Sequence, residues 1–192
     1  MSFKKEVRAI YKRVAKQMGV RAPILIFIKG KKKRNGFATF RCIMLTKELA
    51  KLVETDPLVV ETVIAHELTH YKNRDHRVKI LKAFSPSQWY YAYSLMAELR
   101  ASIGGYSFVG MKTESEIMEN EMKWKIPELH EDKIAAYSVG YPTSEQIAYY
   151  ASWTDKLMVE IAKEILEDYC KVRKVENKEQ FIENVLRVTK VY

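Results

Sequence analysis

Apolar positions along the chain change period from helical to extended and back again, and that change predicts most of the elements. Residues 3–18 carry the helical period and predict an amphipathic first helix that ends at Gly19. After Pro23 the unbroken apolar run Ile24-Leu25-Ile26-Phe27-Ile28 predicts a strand, and a second strand is expected over about 37–45. Everything after Thr46 reads as helical. Pro57 following Asp56 marks a helix start, and Leu58, Val59, Val60, Val63, Ile64 and Leu68 make that helix apolar nearly all round, hence buried. Ser85, Pro86 and Gln88 form a further start signal, and Gly104-Gly105 are expected to close a helix of about 86–103. A loop over 104–110 and a charged helix within 112–125 are expected above the cleft. Capping boxes pairing Thr143 with Gln146 and Asn177 with Gln180 start the C-terminal helices, whose Tyr149, Tyr150 and Trp153 are expected in the core. The fold class expected is α+β, mainly helical with a small N-terminal sheet or hairpin.

Length and composition narrow this picture. The 192 residues suffice for one full-sized core, and no Gly/Ser/Pro-rich linker divides them. A single domain over 1–192 is expected, with its core at about 20–150 and C-terminal helices at about 143–190. No run approaches the roughly 18 apolar residues of a membrane span, and the first six residues lack the apolar stretch of a signal peptide. Cys42 and Cys170 are isolated, which fits reduced thiols and a cytoplasmic location. The net charge of +9 is concentrated in part at Lys29, Lys31, Lys32, Lys33 and Arg34. Gly30 and Asn35-Gly36 bracket this stretch between two apolar strands, so a solvated hairpin turn is the preferred reading. A nucleic-acid patch is the weaker one, since no aromatic residues interleave the lysines.

The candidate chemistry lies in His66-Glu67-Leu68-Thr69-His70. On a helix, positions 66 and 70 share a face one turn apart, so two imidazoles can grip one zinc ion while Glu67 stands beside them as general base. Catalytic zinc takes three protein ligands, and two candidates compete for the third place. His76 has the spacing of the HExxHxxGxxH pattern, with Asn73 at the glycine position where the chain must break. Glu98 is the first charged residue after a charge-free run from Ala83 to Ala97, and shares a helix face with Tyr91, Leu95, Ala101 and Ser102. A glutamate on that face must be paired, with Arg100 or Arg74, or bound to metal. Glu98 is the favoured ligand. His130, between Glu128 and Glu131, is either surface or a stabiliser of the reaction's oxyanion.

Several of these segments, taken in order, resemble a known family. Asn35-Gly36-Phe37-Ala38, then Ile43-Met44-Leu45-Thr46, Leu49, and Val63 through His70 with Asn73-Arg74-Asp75, are similar to the catalytic core of M48-type gluzincin metallopeptidases. The resemblance covers about 35–105 and implies a zincin-like domain acting on peptide or protein substrates. It also implies a third zinc ligand that is a glutamate on a later helix, followed four residues on by Asp. Ser102 stands where that Asp is expected. The segment Tyr141-Pro142-Thr143-Ser144-Glu145-Gln146 is similar to the family's HPS-type segment, with Tyr replacing His. Small proteases of mobile genetic elements share the same ligand logic. In zincins an edge strand near the zinc takes the substrate as an added strand, which points here to residues 37–45. The competing class is a regulatory or latent zinc protein that binds a protein or nucleic acid through the basic stretch.

Overall fold

A computed structural model describes residues 2–30, 34–77, 86–124 and 131–191. The first helix, α1 (Phe3–Gln17), buries Val7, Tyr11, Val14 and Ala15 on one face and leads to β1 (Ile24–Ile28). The expected second strand is in fact two, β2 (Gly36–Ala38) and β3 (Cys42–Thr46). The break is a tight turn in which the Thr39 amide donates to the Cys42 carbonyl at 2.9 Å and the Cys42 amide donates to Thr39 Oγ1 at 3.1 Å. The sheet order is β1-β3-β2, with β1 parallel to β3 and β2 antiparallel to it. The basic stretch is therefore not a hairpin turn. The strands on either side of it, β1 and β2, are not neighbours, because β3 lies between them and pairs with both. Arg34 donates to the Lys123 carbonyl at 2.8 Å, while Lys31, Lys32 and Lys33 lie outside the described residues.

The short α2 (Lys47–Ala50) and a 3-10 turn (Lys51–Glu54) precede α3 (Pro57–Asn73), which starts with Pro57 in its first turn. As expected, α3 is buried, from Thr62 through His70 without interruption. It ends at Arg74, which takes the left-handed conformation with φ 59°.

The next helix, α4, runs from Ser87 to Val109 and does not stop at Gly104-Gly105. A Cβ at Gly105 would lie 3.2 Å from the His66 amide nitrogen, and one at Gly104 would lie 3.0 Å from Thr69 Oγ1. These glycines allow close contact with α3 rather than a helix end, and the loop expected over 104–110 is helical as far as Val109. Gly110, at φ 77°, closes α4. Ser85, part of the expected start signal, lies outside the described residues.

The remaining helices are α5 (Glu114–Trp124), α6 (Lys133–Val139), α7 (Ser144–Trp153), α8 (Val159–Arg173) and α9 (Lys178–Thr189). The capping box of Thr143 and Gln146 is formed. That of Asn177 is not, because Asn177 itself is left-handed at φ 50° and makes no side-chain cap. Tyr150 is buried as expected, whereas Tyr149 and Trp153 are each 51% exposed and do not pack the core.

One buried cluster joins α1, the sheet and α3 through Val7, Ile43, Leu45, Ile64 and Leu68. A second joins α4 to the later helices through Leu95, Leu99, Tyr106, Tyr137 and Leu166. The architecture is thus α+β and mainly helical, and the α3–α4 seam runs between the two clusters. Among the described residues no helix is long and apolar enough to cross a membrane.

Candidate metal centre

Helical spacing brings the rings of His66 and His70 onto one face of α3, with centroids 4.7 Å apart and Nε2 atoms 3.1 Å apart. Both residues are buried. Glu98 reaches them from α4, its Oε2 lying 3.4 Å from His66 Nε2 and 3.5 Å from His70 Nε2. The ligand atoms of these three residues lie within 4.8 Å of one another, the one such group of three found among the described residues. Two imidazoles and a carboxylate meeting at one point form a donor set suited to a divalent metal.

The opposite nitrogens of both rings are also engaged. His70 Nδ1 lies 3.0 Å from Asp75 Oδ2, and Asp75 in turn pairs with Arg100, which donates to the Thr189 carbonyl at 2.6 Å. Arg100 is therefore bound to Asp75, and Glu98 has the two imidazoles as ion-pair partners. His66 Nδ1 lies 3.4 Å from Ser102 Oγ, so a hydroxyl contacts the ring where a carboxylate was expected. Contacts of this kind orient a ligating ring and direct its other nitrogen towards the metal.

The role of Asp75 was not read from the sequence. The left-handed Arg74 turns the chain back so that the Asp75 amide donates to the His70 carbonyl at 3.0 Å, which delivers the carboxylate to the ring. An Asp just beyond the helix end, after a residue able to reverse the chain, was the available signal.

His76 lines the same pocket, its ring edge-on to Phe40 at 5.1 Å, but it is not part of the three-residue group. The chain break falls at Arg74, one residue later than the HExxHxxGxxH spacing requires. His130 lies outside the described residues.

Glu67 is buried against the sheet edge. A Cβ at position 36 would come within 2.9 Å of its Cγ and its Oε1, so the absence of a side chain at Gly36 makes the room in which this carboxylate sits. Phe37, Tyr90, Trp124 and Tyr141 complete the wall of the pocket.

Burial alone would lower the pKa of His70, but the charge of Glu98 and the hydrogen bonds to Asp75 and Glu98 outweigh it and raise the value to about 10. Burial would likewise raise Glu98, yet the facing His70 and His66 hold it well below the usual carboxylate range. The two shifts agree: without a metal, the cluster keeps a proton on an imidazole beside an ionised Glu98.

With this geometry in view, comparison with known proteins identifies the family. The family model of peptidase family M48 matches residues 2–122, more than half of the chain. No curated protein and no solved structure matches. The chain belongs to peptidase family M48, and is by family a metallopeptidase.

Proposed function

We propose that this M48 member is a zinc-dependent endopeptidase in which His66, His70 and Glu98 hold one Zn2+ and Glu67 acts as general base. The observation that supports it most is the convergence of those three ligand atoms on a pocket that Glu67 also lines. Two imidazole nitrogens and one carboxylate oxygen are the catalytic rather than the structural pattern for zinc, because three protein ligands leave one position open. Zinc bound there would polarise a peptide carbonyl and lower the pKa of a water molecule to about 7. The Glu67 carboxylate takes the proton of the attacking water and returns it to the leaving amine nitrogen. Asp75 and Ser102 hold the two rings in register while this happens.

The strand expected to dock the peptide narrows to β2, residues 36–38, because β3 is central in the sheet and β2 lies at the pocket. We read 1–192 as one domain, since α3 and α4 join the two buried clusters along their shared seam. We further propose a cytoplasmic location, on the free thiols Cys42 and Cys170. A regulatory protein acting through the basic stretch is less well supported, because Arg34 is tied to the Lys123 carbonyl.

Zinc-loaded protein is expected to hydrolyse casein, to lose that activity on chelation and to regain it when zinc is restored. Loaded protein that leaves casein and other unfolded chains intact would sink the peptidase reading. Loading has its own pH dependence. Below about pH 10 the metal-free His70 carries a proton that must leave before its nitrogen can bind. Calorimetry in buffers of different ionisation heat should therefore show about one proton released per zinc. Apparent affinity should rise about tenfold per pH unit while that proton is present. Zinc uptake without proton release would contradict the charge state argued for the cluster.

A further inference from the structure

Beyond the metal ligands and Glu67, the pocket wall carries the phenol of Tyr141, on the connection between α6 and α7 and outside the residues matched by the family model. The phenol hydrogen-bonds Glu98 and also faces Glu67 and Tyr90. It is thus a neutral donor set between two carboxylates, one a proposed ligand and the other the proposed base.

The backbone around Tyr141 is constrained on both sides. Before it, Gly140 closes α6 at φ 78°, and the Tyr141 amide donates to the Ala136 carbonyl at 3.0 Å. A Cβ at Gly140 would lie 2.7 Å from Ser94 Cβ and 2.9 Å from the Tyr91 carbonyl oxygen, so this turn presses directly on α4 one turn before Glu98. After it, Pro142 restricts Tyr141 to extended conformations. The capping box of Thr143 and Gln146 then locks the entry to α7, and Gln146 Nε2 donates at 2.7 Å to Tyr137 Oη back on α6. A side chain at position 140 would have no room against α4, so glycine both permits the left-handed turn and sets how closely it approaches that helix. The two caps thus fix the backbone from which Tyr141 enters the pocket.

We propose that Tyr141 is a catalytic residue whose phenol donates a hydrogen bond to the substrate carbonyl oxygen as negative charge develops on it. The inference rests on the peptidase reading above. In hydrolysis the water oxygen bonds to the carbonyl carbon, the π electrons move to the carbonyl oxygen, and Glu67 holds the water proton. The phenol keeps its own proton throughout and supplies only the hydrogen bond. When the tetrahedral species collapses, the C–N bond breaks and the amine takes the proton from Glu67. Without a bound ion the same O–H hydrogen-bonds Glu98. An ion held by Glu98 would engage that carboxylate and leave the Tyr141 phenol able to donate to the substrate oxygen instead.

The test compares zinc-loaded wild type with Tyr141→Phe, using a fluorescence-quenched peptide copied from a site that the wild type cuts in casein. The expected result is a fall in kcat of about 10²–10³-fold with KM within about twofold, the effect of losing one oxyanion donor. Zinc content per chain should stay at the wild-type level. Affinity for a phosphinic analogue of the same peptide, which mimics the tetrahedral species, should fall by about the same factor as kcat. An unchanged kcat overturns the proposal, and so does a loss of zinc in Tyr141→Phe, which would mean that the phenol only steadies Glu98. A loaded wild type that cuts no peptide removes the peptidase reading itself and this inference with it, a failure visible before the variant is compared.

Discussion

Glu67→Gln is expected to lower kcat by about 10²–10⁴-fold while leaving zinc content and thermal unfolding at wild-type levels. The amide has nearly the volume of the carboxylate, so it fits the space that Gly36 leaves beside Val63 without moving the sheet edge. It can still hydrogen-bond a water but cannot accept its proton, so the defect belongs to the chemical step. The zinc-loaded variant should bind the uncut peptide with wild-type affinity, and steady-state kinetics beside a binding titration would separate the two effects. A variant that turns over at a normal rate would show that another group moves the proton and would remove Glu67 from the mechanism. A variant that loses zinc would show instead that Glu67 helps to hold the ion.

The second large effect concerns the ion. Glu98→Ala is expected to take the chain from about one zinc to almost none after gel filtration, whereas His76→Ala keeps its zinc. Glu98 Oε2 lies within 3.5 Å of the Nε2 atoms of His66 and His70, so on the proposed ligand set its loss would leave a two-ligand site open to water. Loss of a mere orienting neighbour costs about 10–100-fold in affinity, and loss of a direct ligand should exceed that. Glu98→Ala also removes one of the groups that raise the pKa of His70, so in the metal-free variant that pKa should fall below its wild-type value, with Asp75 and Glu67 still opposing the effect of burial. Elemental analysis of the two variants beside the wild type is decisive. Zinc lost only in His76→Ala would transfer the third-ligand role to His76 and restore the three-histidine arrangement.

These expectations depend on features that differ in how far the sequence reveals them. The α1 period, the apolar run of β1, the Pro57 start of α3, the Thr143–Gln146 box and the one-turn spacing of His66 and His70 all appear as read, because each is set by residues within a few positions of one another. The glutamate on a charge-free helix was also legible as a candidate, since burying it needs a compensating partner. Expectations failed where a local signal had a tertiary use. Gly104-Gly105 look like a helix end but are the face on which α4 meets α3. The lysine-rich stretch looks like a hairpin turn, but the strands that flank it are separated by β3, and Asn177 looks like a cap but adopts the left-handed conformation.

Read alone, the chain shows the helix that carries His66 and His70, its buried character, the predominance of helices and the two candidates, Glu98 and His76, for a third ligand. Those depend on spacing along a regular backbone, which short-range geometry sets. Which distant side chains stand beside the two imidazoles is a matter of packing: Glu98 comes through the glycine contact of α4, Asp75 through the reversal at Arg74, and Tyr141 through the turn at Gly140. Each of these depends on how closely two distant backbones approach, a quantity fixed by packing across the α3–α4 seam and not by any run of neighbouring residues.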